Sequence, residues 1–424
     1  MTRPLFFLFL AMAIMPREIQ AQDIPVNYDE AKIPAYTLPD PLRSADGKKI
    51  TTKEEWSKEQ RPFLLQLYKE NVYGKFPRPP PEIHFKTLSI DSLALGGKAT
   101  RKQIRISFNA ADSLSYIDVL LYTPASSRKP APVCLGLNFK GNHAASSDPG
   151  INISSRWIRD DEDGVVNHRA TEKSRGAESS RWPVEEMIKR GYAVATAYYG
   201  DLEPDYDSGW TSGIRTTLSE RLNTAATEWS AIGAWAWGLC RIVDYLESDK
   251  AVDAKKIVLT GHSRLGKAAL WAGANDQRFA IIVSNNSGEG GAALSKRWFG
   301  ETIGIINNSF PHWFNAKYKE YGANPAALPV DQHILLSLMA PRPLYVASSK
   351  DDQWADPKGE FLSAKNAEPV YALFGKKGLG VKEMPAVNHP VGENIRYHIR
   401  TGKHDITLYD WTQYMNFADK HFKK

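Results

Sequence analysis

The chain has 424 residues, 42% of them hydrophobic, with 54 Lys and Arg against 48 Asp and Glu. That length can bury a large core and is long for one domain. The net charge of +6 is scattered along the chain, with no basic tract and no Cys/His cluster at zinc spacing. Nucleic acid and structural zinc are therefore not expected as partners.

The first residues, MTRPLFFLFLAMAIMPREIQAQ, place Arg3 before an apolar run at 5–15 and a polar stretch ending at Ala21. This predicts a secretory signal over 1–21 and an exported protein, periplasmic or secreted. The run is too short to span a bilayer, and no later stretch approaches 18 apolar residues.

Residues 22–424 are expected to form one domain. Its first part, about 22–110, holds a helix opened by a Thr52/Glu55 capping box, a PRPPP turn at 77–81 and a β segment, RKQIRISFN. It reads as an extension packed on a main sheet. Strands follow at 115–124, 131–138, 192–200, 256–261, 279–285 and 343–349, several of them continuous apolar runs. Helical segments alternate with them: 182–191, 228–249, the stretch after Lys267 and the C-terminal LYDWTQYMNFADKHF. Such alternation predicts a doubly wound, mostly parallel sheet with helices on both faces. A polar insertion over about 142–181 has the length of a lid or binding loop. Cys134 and Cys240 lie in apolar segments and read as buried free thiols. Trp229, Trp235 and Trp237 read as core, whereas Trp157, Trp182 and Trp210 lie in or near loops.

The decisive stretch is KKIVLTGHSRLGKAALWAGA at 255–274. A strand, a Gly-x-Ser turn and a helix form the nucleophile elbow of the α/β-hydrolase fold, a three-layer αβα sandwich. Ser263 is the candidate nucleophile, although the second glycine, Gly266, stands one residue later than in Gly-x-Ser-x-Gly. In this fold the acid follows a late strand and the base precedes the last helix. The strand at 343–349 runs into KDDQWADP, so Asp351, Asp352 and Asp356 are candidate acids, with Asp352 placed to turn inward. His404 is the candidate base, with His389 and His398 as rivals; adjacent Asp405 is expected to point away from it.

The set GHSRLGKAAL, NNSGEGGAALSKRWFGE, DDQWADPKGEF and YHIRTGKHD resembles the glucuronoyl esterases of carbohydrate esterase family 15, bacterial type. The resemblance implies hydrolysis of esters joining 4-O-methyl-glucuronate of glucuronoxylan to lignin alcohols, without metal or organic cofactor. It implies that Ser263 attacks, His404 is the base, and Arg264 serves the oxyanion. It further implies that Lys267 and Glu301 contact sugar hydroxyls and that Trp354 borders the uronate pocket. A second oxyanion N–H is expected from NFKGNH at 138–143. One departure stands out. Where many members carry a catalytic glutamate, before the Ser-Gly turn, this chain has Asn286. Asp352 is the expected replacement, with Glu289 and Asp356 as weaker candidates. Two alternatives stand beside this reading: an acetyl xylan esterase on the same scaffold, and a catalytically impaired carbohydrate-binding homologue. A monomer is expected.

Overall fold

The computed structural model describes residues 26–108, 115–160 and 162–423, so the expected signal at 1–21 lies outside the described residues. Its strands are β1 (His84–Leu93), β2 (Ala99–Ser107), β3 (Tyr116–Pro124), β4 (Ala131–Asn138), β5 (Val165–Val166), β6 (Arg169–Ala170), β7 (Ala193–Tyr198), β8 (Val252–His262), β9 (Ile281–Asn285), β10 (Leu344–Ser349), β11 (Val391–Gly392) and β12 (Ile395–Arg400). Ten of them form one sheet in the order β1-β2-β3-β7-β4-β8-β9-β10-β12-β11. From β7 to β12 every neighbour is parallel; β1, β2 and β3 close one edge and β11 the other by antiparallel pairing.

Every residue of β7, β9 and β10 is buried, as strands covered on both faces require. One face is covered by α1 (Arg61–Tyr68), α3 (Ala231–Leu246), α4 (Arg264–Asn275), α5 (Gln332–Ser337) and α6 (Pro357–Asn366). The other face packs α2 (Val184–Lys189) and α7 (Leu408–Phe422) over Val258, Ile281, Val283 and Tyr345. The result is the three-layer αβα sandwich of an α/β-hydrolase. Cys134 and Cys240 are buried and free.

Two differences from the sequence reading have physical causes. The N-terminal extension does not only pack on the sheet: β1 and β2 join it as edge strands. β1 is largely exposed, so it carries no hydrophobic period that would announce it. Helix α3 starts at Ala231, not at 228, because the Ser230 side chain accepts from Gly233 N–H and caps it there. The strand-like run around His398 is β12, parallel to β10 and buried except at Arg396.

The insertion at 142–181 contains only the β5–β6 hairpin and short 3₁₀ turns. It hydrogen-bonds back through Gly176 N–H to His143 O and Glu178 N–H to Ala144 O. Trp229, Trp235 and Trp237 are buried, Trp182 is also buried, and Trp210 is exposed.

The join of β8 to α4 leaves no space at Gly261. A Cβ there would lie 2.0 Å from the Leu265 carbonyl oxygen, which is backbone and cannot swing aside. Gly261→Ala is therefore expected to cost about 1–3 kcal/mol, read as a lower urea midpoint with an unchanged m-value.

Candidate active site

Ser263 sits between the last residue of β8 and the first of α4 with φ 56° and ψ −131°. Positive φ is strained for a serine and persists only when the surroundings impose it. Here Ser263 N–H donates to Asn285 O on β9 at 2.9 Å, and Gly266 N–H donates to Ser263 O at 2.8 Å. The side chain thus stands at the positive end of the α4 dipole, at the carboxyl edge of the parallel strands.

His404, in the loop after β12, places Nδ1 2.6 Å from Asp352 Oδ2. Asp352 lies in the turn after β10 and is buried. Burial pushes its carboxyl up, but hydrogen bonds from His404 and Asn286 outweigh burial and hold it below the usual carboxylate range. Asn286 is thus a partner of the acid: its Nδ2 donates to Asp352 Oδ2 at 2.8 Å, and its Oδ1 accepts from Ser349 Oγ at 3.1 Å. Beneath His404 lies the His262 ring, 4.5 Å away. Burial, and then the neighbouring His404, push the His262 pKa far down, so it stays neutral, with Nδ1 2.7 Å from Asn285 Oδ1.

Ser263, Arg264 and His404 line one cavity of about 260 Å³, with Phe139, Tyr199 and Arg181 among its other walls. Ile158, Arg159 and Glu162 of the insertion also border it. Two backbone N–H groups of the 138–143 segment are engaged within the fold. Phe139 N–H donates to Glu178 Oε2 at 3.3 Å and Gly141 N–H to Asn138 Oδ1 at 2.9 Å.

The Arg264 guanidinium is held by a residue the sequence reading did not mark. Its Nη1 donates to Asp205 Oδ2, and it lies 4.8 Å from the centre of the Trp313 ring. Asp205 also accepts from His312 Nε2 at 2.8 Å, Trp313 Nε1 at 2.7 Å and Tyr199 OH at 3.1 Å. Although burial pushes this carboxyl up, His312, Arg264 and Trp313 together hold it well below the usual range. Its only sequence signal is its position: an acid in the polar loop after β7, at the same sheet edge as Ser263.

Lys267, Glu301 and Trp354 form a second group, outside the walls of that cavity. Lys267 Nζ donates to Ser287 O at 2.5 Å and lies 4.0 Å from Glu301 Oε2. Both are buried; burial lowers the lysine and raises the glutamate. Glu301 N–H donates to Trp354 O at 2.9 Å, and the Trp354 side chain is 39% exposed two residues past Asp352.

The weaker acid candidates are engaged elsewhere. Glu289 accepts from Ser295 Oγ at 2.7 Å and from Tyr318 OH, and burial pushes it up to about 8. Asp356 pairs with Arg297 at 2.9 Å and caps α6 through Gly359 N–H. Neither has a contact to His404 among the described residues. His398 is buried between Tyr345 OH and Asp410, and His389 is bonded to Val387 O. Asp405 turns to Arg181 at 2.6 Å. Glu360, also unmarked by sequence reasoning, accepts from Ser287 N–H at 2.8 Å, Gly288 N–H at 3.1 Å and Ser348 Oγ at 2.6 Å, fixing the turn after Asn286. Among the described residues, no group of three or more His, Cys, Asp or Glu is placed to hold a metal ion.

Comparison with known proteins identifies the family. A family model described as glucuronyl esterase, fungi, matches residues 221–375. A carbohydrate esterase from an unknown prokaryotic organism is 46% identical over 407 residues, 95% of this chain and 94% of that protein. The chain belongs to the glucuronoyl esterases, carbohydrate esterase family 15. The solved glucuronoyl esterase from Solibacter usitatus is 50% identical with a TM-score of 0.87, covering 92% of this chain and 99% of that one. A solved promiscuous esterase of the same family, from a marine bacterial metagenome, is 44% identical with a TM-score of 0.88, covering 94% and 100%. As a family member, the chain is a carboxylic ester hydrolase.

The Arg264–Asp205 pair has a testable energetic signature in this glucuronoyl esterase. The Asp205 side chain is 1% exposed, so Asp205→Asn leaves a partly buried guanidinium without its counter-charge, at a cost of about 3 kcal/mol. Because the folded pKa is depressed, the ionised carboxylate stabilises the fold above the unfolded value near 4 and that contribution is lost as pH falls through the folded value. The wild type–Asp205→Asn difference in urea stability should be full at pH 7 and shrink from about pH 4 downward. A difference constant with pH would mean that the charge is not what stabilises.

Proposed function

We propose that this esterase cleaves esters formed at the C6 carboxyl of glucuronate, including the 4-O-methyl-glucuronate esters that join glucuronoxylan to lignin alcohols. The observation that carries the reading is the short His404–Asp352 hydrogen bond at the cavity that also holds Ser263. With Nδ1 engaged by Asp352, Nε2 is the nitrogen left to take a proton from the serine. Relatives named 4-O-methyl-glucuronoyl methylesterase support the substrate class, among them one from Schizophyllum commune, 28% identical over 386 residues.

In this mechanism Ser263 Oγ attacks the ester carbonyl carbon while His404 Nε2 accepts the hydroxyl proton. The carbonyl electron pair moves onto oxygen, which faces the Arg264 N–H and guanidinium. Asp352 stabilises the imidazolium. The tetrahedral intermediate collapses, the C–O bond to the alcohol breaks, and His404 returns the proton to the leaving oxygen. Water, deprotonated by His404, then attacks the glucuronoyl-serine; the bond to Ser263 Oγ breaks, the oxygen takes the proton back from His404, and glucuronate is freed. Lys267, Glu301 and Trp354 grip the acyl sugar, and Asp205 positions Arg264. Two aspects rest on the sequence alone. Export rests on residues 1–21, and the expectation of a monomer rests on no structural observation. No helix among the described residues is long and apolar enough to cross a membrane.

Hydrolysis of benzyl glucuronate beside an acetylated sugar tests the reading. Ser263→Ala should lower kcat about 10⁶-fold, Asp352→Asn about 10⁴-fold, and Arg264→Ala about 100- to 1000-fold. Glu289→Gln should stay within a few-fold of wild type. Acetyl release without glucuronate release would replace the substrate assignment. Collapse in Glu289→Gln with an active Asp352→Asn would move the acid to Glu289.

A further inference from the structure

Residues 27–32 run beside the active site. Gly300 N–H donates to Asn27 O at 2.9 Å, and the next residue, Glu301, donates its N–H to Trp354 O at the same distance. The Gly300–Glu301 pair is therefore bracketed by the N-terminal segment on one side and the Trp354 turn on the other. The approach is close: a Cβ on Gly300 would lie 2.5 Å from the Trp354 carbonyl oxygen.

The segment is anchored on both sides of Tyr28. Asn27 Nδ2 donates to Trp298 O at 3.4 Å, and Asp29 caps the turn Glu30–Lys32. Glu30 pairs with Arg297 and, at 2.9 Å, with Lys358. Between these anchors the Tyr28 ring stands edge-on to Phe299, 6.1 Å between centres, and is still 51% exposed. Burial, and then the Asp352 and Glu301 carboxylates, raise its phenol pKa, which places the hydroxyl within their field. A mainly apolar hollow of about 780 Å³ continues outward from Tyr28 along Val26, Pro34 and Trp298.

Tyr28 and Trp354 are thus two exposed aromatic rings anchored on the two sides of Glu301, a buried acid of the uronate grip. A half-exposed ring packed by its edge and held by five neighbouring polar contacts presents a rigid apolar face with a polar edge at little entropy cost. The chemistry that matches such a face is a neutral pyranose, with its C–H surface on the ring and its hydroxyls at the rim.

We propose that Tyr28, with Trp354, forms a saccharide subsite beside the uronate pocket that takes a neutral sugar of the chain bearing the glucuronate. The subsite rests on the uronate-ester reading above. It makes the N-terminal segment part of the substrate surface and gives the enzyme a preference for esters still attached to an oligosaccharide.

The test compares two substrates on the full protein: benzyl glucuronate, and the benzyl ester of a glucuronate-substituted xylo-oligosaccharide. Tyr28→Ala should raise KM about fivefold to tenfold on the oligosaccharide ester and change it less than about twofold on benzyl glucuronate, with kcat and Tm unchanged. Tyr28→Phe keeps the ring and should retain wild-type KM on both. A Tyr28→Ala that changes KM by the same factor on the two substrates, or a Tyr28→Phe as impaired as Tyr28→Ala, overturns the stacking subsite. Wild type inactive on both esters would instead overturn the uronate reading, and the subsite with it.

Discussion

A serine held at positive φ between a parallel strand and a helix is the constraint on which the rest of the site depends. Ser263 keeps that backbone only because β9 supplies the carbonyl of Asn285 and because Gly261 and Gly266 let α4 lie directly against the sheet. Once the strand-to-helix join is fixed, the positions of the other groups follow from strand order. β9 lies next to β8 and β10 next to β9, so the turns after them, carrying Asn286 and Asp352, reach the same edge; β12 lies next to β10 and delivers His404. Four successive parallel strands therefore supply the serine, the asparagine, the aspartate and the histidine.

Burial alone pushes every carboxyl in this region up, and donors decide which of them are ionised. Asp352 and Asp205 each receive donors from a histidine and at least one other group and fall below the usual range. Glu289 and Glu360 receive only hydroxyl or amide donors and are pushed up to about 8. The same physical division separates a carboxylate able to stabilise an imidazolium from carboxyls that act as neutral hydrogen-bonding struts. It also gives Asn286 a purpose. A second carboxylate there would stand within hydrogen-bond distance of Asp352 and repel it, whereas an amide donates to it.

Much of this was legible in the sequence because the elbow is local. Seven consecutive residues, GHSRLGK, carry the turn, the helix start and the cation beside the serine, and the apolar runs on either side announce a strand and a helix. His404 and Asp352 were legible through fold order. What escaped was long-range. Asp205 is one acid in an acid-rich loop until His312 and Trp313, more than 100 residues later, converge on it. β1 escaped because an exposed edge strand need not alternate, and Tyr28 because nothing local links it to Gly300.

The central claim is that Ser263 is made nucleophilic by a histidine that Asp352 holds and charges. Its most direct test is the rate of covalent labelling by diisopropyl fluorophosphate, followed by intact mass and peptide mapping in wild type and Asp352→Asn. The account predicts one phosphoryl group per chain, on Ser263, added at least about 100-fold more slowly in Asp352→Asn, a share of the roughly 10⁴-fold effect such a change has on turnover. Label on another residue, or equal rates in the two proteins, would contradict it.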